Sequence, residues 1–238
     1  MVSISSGQQT VAPFIPTGNR EIDERLGGGI PRRAFTLIDG QSDAGKSVLC
    51  QQLLWGALRS GVASVLFSTE YTVSDLVSQM ESLGLDTRDH IRQGTLTVFP
   101  LRVSWSRWEA VGALRALGAA MPWLPAELFI VDSLTSFVLH ATVEDTLAFC
   151  QECRALCDAG VTVVTTVHTY ALREDALARL RSLSNTHLHL RKEGSGNRRA
   201  RVLEVGKLSA QEPVAEVIRF QVEPRLGMRV LPPGETRV

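Results

Sequence analysis

Lysine is nearly missing from this chain: Lys46, Lys192 and Lys207 stand among 25 basic residues, and the rest are arginine. Basic and acidic residues balance at 25 each, so the formal net charge is zero. That balance argues against a broadly basic surface for nucleic acid or anionic membrane and leaves room only for a local patch. Long apolar runs are absent too; none reaches the roughly 20 residues of a membrane-spanning helix. Met1 to Gly7 lack the basic start and apolar middle of a secretory signal, so a cytoplasmic location is expected. Cysteine is limited to Cys50, Cys150, Cys153 and Cys157. The last three share one face of a predicted helix, without the separation and fourth partner of a metal site. Cytosolic redox poise disfavours disulfides, so free, semi-buried thiols are expected. Repeats and low-complexity segments are also missing. What remains is ordinary globular material, 44% hydrophobic and 21% charged over 238 residues. That length suits one large α/β domain or two small ones.

Against this background Gly40-Gln41-Ser42-Asp43-Ala44-Gly45-Lys46-Ser47 is the most specific signal. It matches G-x-x-x-x-G-K-[ST], the phosphate-binding P-loop. Ala34–Ile38 before it reads as a buried strand. After it, Leu49, Leu53 and Ala57, then Cys50, Leu54 and Leu58, fall at helical spacing. Gly40 and Gly45 let the backbone wrap an anion, with no Cβ to block approach or forbid positive φ. The N–H groups of the loop, including those of Ser42, Asp43 and Ala44, and the positive end of the helix dipole then face the phosphates. Lys46 is expected to reach the β- and γ-phosphates, and the Ser47 hydroxyl to complete a Mg²⁺ shell. Nucleoside triphosphate binding is the expectation.

Strands and helices alternate through the middle of the chain. Strands are predicted at Ser64–Ser68, Leu96–Phe99, Leu128–Asp132 and Val161–Val167. Helices are predicted near Ser74–Leu83, Trp108–Ala119 and Val143–Ala159. A mostly parallel central sheet with helices on both faces follows. After a helical piece at Arg173–Leu183 come short strands at His187–Arg191, Arg201–Leu208, Glu216–Val222 and Met228–Leu231. Gly194–Asn197 is a hairpin signal between the first two. Antiparallel strands are therefore expected at the C-terminal end, within one domain over 14–233, between a flexible start at 1–13 and a short tail at 234–238.

Four apolar residues, Leu128 to Val131, deliver Asp132 to the carboxyl end of a buried strand, where ligands bind open α/β sheets. Asp132 is a candidate Mg²⁺ ligand, direct or through water; alternatively it caps the Ser133–Val138 turn. Glu70, just beyond the Ser64–Ser68 strand, is the candidate catalytic base for an attacking water, or else a surface glutamate at a helix entry. His168 ends another strand at this edge and is either a γ-phosphate sensor or a hydrogen-bonded terminus. His187 and His189 alternate on one strand face, but no third ligand lies near them in sequence. Trp105 and Trp108, near Arg102 and Arg107, suit either packing, a subunit contact, or a stacking platform for nucleic acid.

Taken together, Thr17-Gly18, Leu26-Gly27-Gly28-Gly29-Ile30-Pro31, the P-loop and the Asp132 strand resemble the RecA/KaiC class of P-loop ATPases. Phe67–Glu70, Ser78–Asp86, Val167–Leu172 and Val222–Met228 resemble, more narrowly, the archaellum (archaeal flagellum) motor ATP-binding family. The resemblance spans about Ile15 to Pro232. It implies a RecA-like fold binding ATP and Mg²⁺ with slow or no turnover, and a ring-forming homo-oligomer, hexameric, with nucleotide between subunits. The implied partners are the motor's secretion-type ATPase and a ring scaffold protein. The location implied is peripheral, at the cytoplasmic face of the motor, with the membrane met only through a platform protein; nucleic acid is not expected. By motif match Gly45, Lys46, Ser47 and Asp132 carry the nucleotide and metal roles.

Two positions depart from that pattern. KaiC-type ATPases carry two adjacent acids where this chain has Glu70-Tyr71. Relatives carry Lys-x-Arg-Gly in a late strand, whose basic groups reach a neighbour's nucleotide; Lys207-Leu208-Ser209-Ala210 keeps the lysine alone. A KaiC-like ATPase or autokinase in signalling is the alternative reading. A recombinase-like DNA-binding protein is a third, without a basic accessory domain to support it.

Overall fold

The computed structural model describes residues 12–102, 106–194, 200–209 and 214–232. The start predicted as flexible lies almost wholly outside these residues, as do the tail, Trp105 and most of the Gly194–Asn197 turn. In chain order the elements begin with β1 (Phe14–Ile15), α1 (Arg20–Leu26), β2 (Ile30–Pro31), β3 (Phe35–Gly40) and α2 (Lys46–Arg59). Then come β4 (Ser64–Ser68), α3 (Val73–Ser82), α4 (Arg88–Arg92), β5 (Leu96–Pro100), α5 (Arg107–Ala120), β6 (Leu128–Asp132) and α6 (Thr135–Val138). The chain continues with α7 (Val143–Asp158), β7 (Thr162–His168), α8 (Glu174–Leu183), β8 (Thr186–Glu193), β9 (Ala200–Lys207), β10 (Val217–Glu223) and β11 (Gly227–Val230).

Nine strands form one sheet in the order β11-β10-β9-β8-β3-β7-β6-β4-β5, and β1 pairs with β2 in a separate ribbon. From β8 to β5 all pairings are parallel; β9, β10 and β11 continue antiparallel from β8. This is the mostly parallel α/β sheet that the strand-helix alternation predicts, and the RecA-like architecture that the resemblance implies. One late strand differs from its company: β8 lies parallel to β3 and so closes the parallel half. Each central strand feeds two cores. In β6, Leu128 and Ile130 join a core with α2 and α3, while Phe129 and Val131 join a second with α5, α7 and α8. That two-sided burial is why such strands read as continuous apolar runs. Cys150, Cys153 and Cys157 are fully buried on the α7 face of the second core, deeper than the semi-buried thiols expected. Burial pushes the thiols of Cys150 and Cys157 up to about 12. At neutral pH they are therefore inert apolar filler.

The Thr17-Gly18 signature clamps the P-loop helix. Thr17 N–H donates to Asp23 Oδ1 at 2.7 Å, Asn19 caps α1, and Gln52 Nε2 of α2 donates to the Thr17 carbonyl at 3.2 Å. The 16–18 backbone crosses α2 so closely that a Cβ on Gly56 would fall 2.3 Å from both Pro16 O and Thr17 C. Gly→Ala in an exposed helix stabilises by about 1 kcal/mol. Here the sign reverses: Gly56→Ala is expected to destabilise by about 1–3 kcal/mol, because backbone must move to admit the methyl. Denaturant unfolding checks it, and a midpoint at or above that of the unmodified chain refutes the close packing.

Candidate nucleotide site

β3 ends at Gly40, whose register partners are His168 on β7 and Leu190 on β8. A Cβ at Gly40 would lie 2.0 Å from the Leu190 carbonyl, so the chain turns out of the sheet where only glycine fits. Gln41 N–H donates to that carbonyl at 3.1 Å, and the Gln41 side chain accepts from Lys192 N–H at 3.1 Å. Arg201 Nε donates to the Asp43 carbonyl at 3.2 Å. β8 and β9 thus hold the loop from one side. Asp43 and Gly45 adopt left-handed backbone, φ 60° and 97°, and Gly45 caps α2. Ser42 and Asp43 are exposed; Ala44 and Lys46 are buried.

Lys46 Nζ donates to the carbonyls of Gly40 at 3.2 Å and Gln41 at 2.7 Å. Among the described residues no carboxylate forms an ion pair with it. Burial draws its pKa down to about 8, against the pull of Asp132. A buried ammonium held only by loop carbonyls fits a polyanionic ligand.

Asp132 is buried at the carboxyl end of β6. Thr166 Oγ1 donates to its Oδ1 at 2.7 Å, and the Ser47 hydroxyl stands near enough to favour the charged carboxylate. Burial raises its pKa, against Thr166, Ser47 and Lys46. The capping alternative fails: α6 starts from Leu134 with no side-chain cap. A buried carboxylate with hydroxyl partners, facing Ser47, is a donor set for a hard divalent cation.

Glu70 stands at the exposed rim of the same edge. The Ser68 hydroxyl accepts from Glu70 N–H at 3.2 Å and from Tyr71 N–H at 2.9 Å, which fixes the turn out of β4. Partial burial and then the charge of Asp132 raise the Glu70 pKa, while Lys46 lowers it. It therefore belongs electrostatically to the site, unlike an isolated surface glutamate. Across the turn, Ser133 N–H donates to Thr69 Oγ1 at 3.0 Å and Thr69 N–H to Asp132 O at 2.9 Å, tying the ends of β4 and β6 together.

A family model described as "ATPase: KaiC" matches residues 15–235. The chain belongs to the KaiC family of P-loop ATPases. Among curated proteins it is 29% identical to an archaeal flagellar ATP-binding protein FlaH from Sulfolobus acidocaldarius, over 92% of this chain and 97% of that protein. It is 27% identical to the FlaH of Methanocaldococcus jannaschii, over 88% and 91%. The crystal structure of the flagellar accessory protein FlaH from Methanocaldococcus jannaschii superposes with a TM-score of 0.79 at 24% identity, covering 89% of this chain and 95% of that one.

Within this KaiC-family frame the remaining candidates divide. His168 lies beside Gly40; its Nδ1 shares a 2.9 Å hydrogen bond with Thr135 Oγ1, and burial followed by the Lys46 charge lowers its pKa. It is a neutral imidazole near the loop. Tyr71, where the resemblance implies a second acid, packs against the α2-side core. Lys207 is not brought to this chain's own site. It pairs with His187, which pairs with Leu37 three residues short of Gly40, and Lys207 Nζ donates to the Ser184 carbonyl at 2.7 Å. Trp108 is 88% exposed, which removes the core-packing explanation for it.

Thr166 and Arg201 are site residues that sequence pattern does not mark, and Thr69 stands in the Phe67–Glu70 segment with no role of its own assigned to it. Each is an ordinary strand or turn residue by type, and only the register brings Thr166 to Asp132, Thr69 to Ser133 and Arg201 to the loop. The third partner of His187 and His189 is equally invisible in the pattern: it is Asp39, the residue before Gly40.

Proposed function

We propose that this chain is an ATP-binding regulatory subunit of an archaellum-type motility motor, holding ATP and Mg²⁺ between subunits of a hexameric ring with little or no turnover. The observation that carries this reading is the near end-to-end likeness to FlaH, joined to an intact phosphate loop. Gly40, Gly45 and the loop N–H groups receive the phosphates; Lys46 supplies the cation. Ser47 and Asp132 are the residues that would hold Mg²⁺, which neutralises phosphate charge when bound. The ring would dock on the motor's secretion-type ATPase within a scaffold ring, peripheral at the cytoplasmic face. ATP acts by favouring the conformation or assembly that binds it better. Among the described residues, no helix is long and apolar enough to cross a membrane.

Glu70 supports the second reading, a working KaiC-like ATPase. A carboxylate at the mouth of the site, coupled to Asp132 and Lys46, keeps water activation chemically available. The loss of its acidic neighbour at Tyr71 favours weak turnover. Incubation with ATP and Mg²⁺, followed by identification of the retained nucleotide over hours, separates the two. Intact ATP is expected in both the unmodified chain and Glu70→Gln. Steady ADP and phosphate that Glu70→Gln abolishes would make it an ATPase instead.

A further inference from the structure

The α8 face of β3 and β8 carries a cluster that nucleotide binding leaves unused. His187 and His189 stand two residues apart on β8, so their side chains rise side by side from one sheet face. Asp39, the register partner of His189, rises next to them from β3. Asp39 Oδ2 lies 3.0 Å from His187 Nε2, and Oδ1 contacts His189 Nδ1. One ligand atom from each of the three lies within 4.8 Å of the other two. Beyond His189, its β9 partner Glu204 extends the row.

The surroundings are shaped for these groups. A Cβ on Gly206 would fall 2.4 Å from His187 Nδ1, so glycine makes the room in which this imidazole turns its Nε2 to Asp39. The Asp39 side chain has no solvent exposure, and Arg181 Nε fixes its Oδ2 at 2.6 Å. Arg181 is held in turn by Glu174 at 2.8 Å. Metal-binding carboxylates are commonly oriented by such outer hydrogen bonds. On its open side the cluster meets a groove of about 420 Å³, lined by Arg181, both histidines, Glu204, Glu216 and Val217 among others. That groove is an entry path for a hydrated ion.

We propose that Asp39, His187 and His189 bind one first-row transition-metal dication of the zinc class, with a coordination position open to the groove and Glu204 at its rim. Two imidazoles and a carboxylate select zinc-like ions over Mg²⁺ and Ca²⁺. Ligand atoms on a zinc tetrahedron stand about 3.3 Å apart, close to the 3.0 Å between His187 and Asp39, while His189, which contacts the other carboxylate oxygen, must draw back to share the ion. Arg181 opposes a further positive centre, which makes the site weaker than a closed four-ligand structural zinc site.

The test uses the full chain, stripped with chelator and free of nucleotide, titrated with Co²⁺ in excess Mg²⁺ to occupy the Ser47–Asp132 position. One equivalent of Co²⁺ is expected, with the visible absorption of nitrogen and oxygen ligands, displaced by Zn²⁺. His187→Gln and His189→Gln should each weaken it more than about 100-fold, beyond the loss of an outer partner. No visible band at millimolar Co²⁺, binding by both variants as tight as that of the unmodified chain, or intense thiolate charge-transfer absorption overturns the proposal. Should a variant not fold, the imidazole nitrogens of the unmodified chain decide the matter: Zn²⁺-dependent shifts at both histidines support the site, and unshifted signals refute it.

Discussion

Lys46→Ala is expected to weaken ATP binding by roughly 100- to 10,000-fold, with no loss of fold stability. The ammonium is buried and its present partners are two loop carbonyls, so its charge is uncompensated by any ion pair among the described residues. Hydrogen bonds to a charged group contribute about 1.5–3 kcal/mol each, and two to phosphate oxygens give that range at 1.4 kcal/mol per decade. Removing the buried charge also removes its desolvation cost, so the melting temperature should hold or rise. Calorimetric titration with a parallel thermal melt separates lost binding from lost fold. Affinity within threefold of the unmodified chain would dismiss the loop as the nucleotide site. If the switch reading holds, ATP-dependent capture of the motor ATPase disappears with it; unchanged capture counts against that reading.

The same group sets a pH dependence. Burial places the Lys46 pKa at about 8, and the phosphate-binding form is the protonated one. Below pH 8 the free protein already carries that proton, so affinity is flat. Above pH 8 the free lysine is neutral and must take up a proton to bind, so affinity falls by up to tenfold per unit. In Lys46→Ala this slope vanishes.

The phosphate loop was legible because its determinants are local: strand, glycine turn and helix lie within a few dozen residues, and each has its own periodicity or spacing. Asp132 was legible for the same reason, as an acid closing a buried apolar run. What surrounds them was not. Thr166 reaches Asp132 only because β6 and β7 are neighbours, and the Thr69–Ser133 clasp exists only because β4 and β6 are. β8 reads as one more late hairpin strand, yet it pairs parallel with β3 as well as antiparallel with β9. That choice depends on non-local pairing, which short-range pattern does not encode. The consequence is largest at His187 and His189, whose partner Asp39 lies about 150 residues earlier.

Asp39→Ala is expected to destabilise the fold by about 3 kcal/mol in the presence of chelator. Burial disfavours the Asp39 carboxylate, but hydrogen bonds from His187, His189 and Arg181 outweigh it and hold the group below the usual carboxylate range. Deleting it leaves three donors facing one apolar methyl, and breaking a buried pair from one side costs about 3–5 kcal/mol. Arg181 and the histidines keep some contact with solvent, so the low end applies. Arg181→Ala should cost less, about 1 kcal/mol, because two imidazoles remain to satisfy Asp39. Equal losses in the two variants, measured by denaturant unfolding, would place the weight of the network on Arg181. The predicted inequality instead makes Asp39 the hub, one residue from the turn where Gly40 leaves the sheet for the nucleotide.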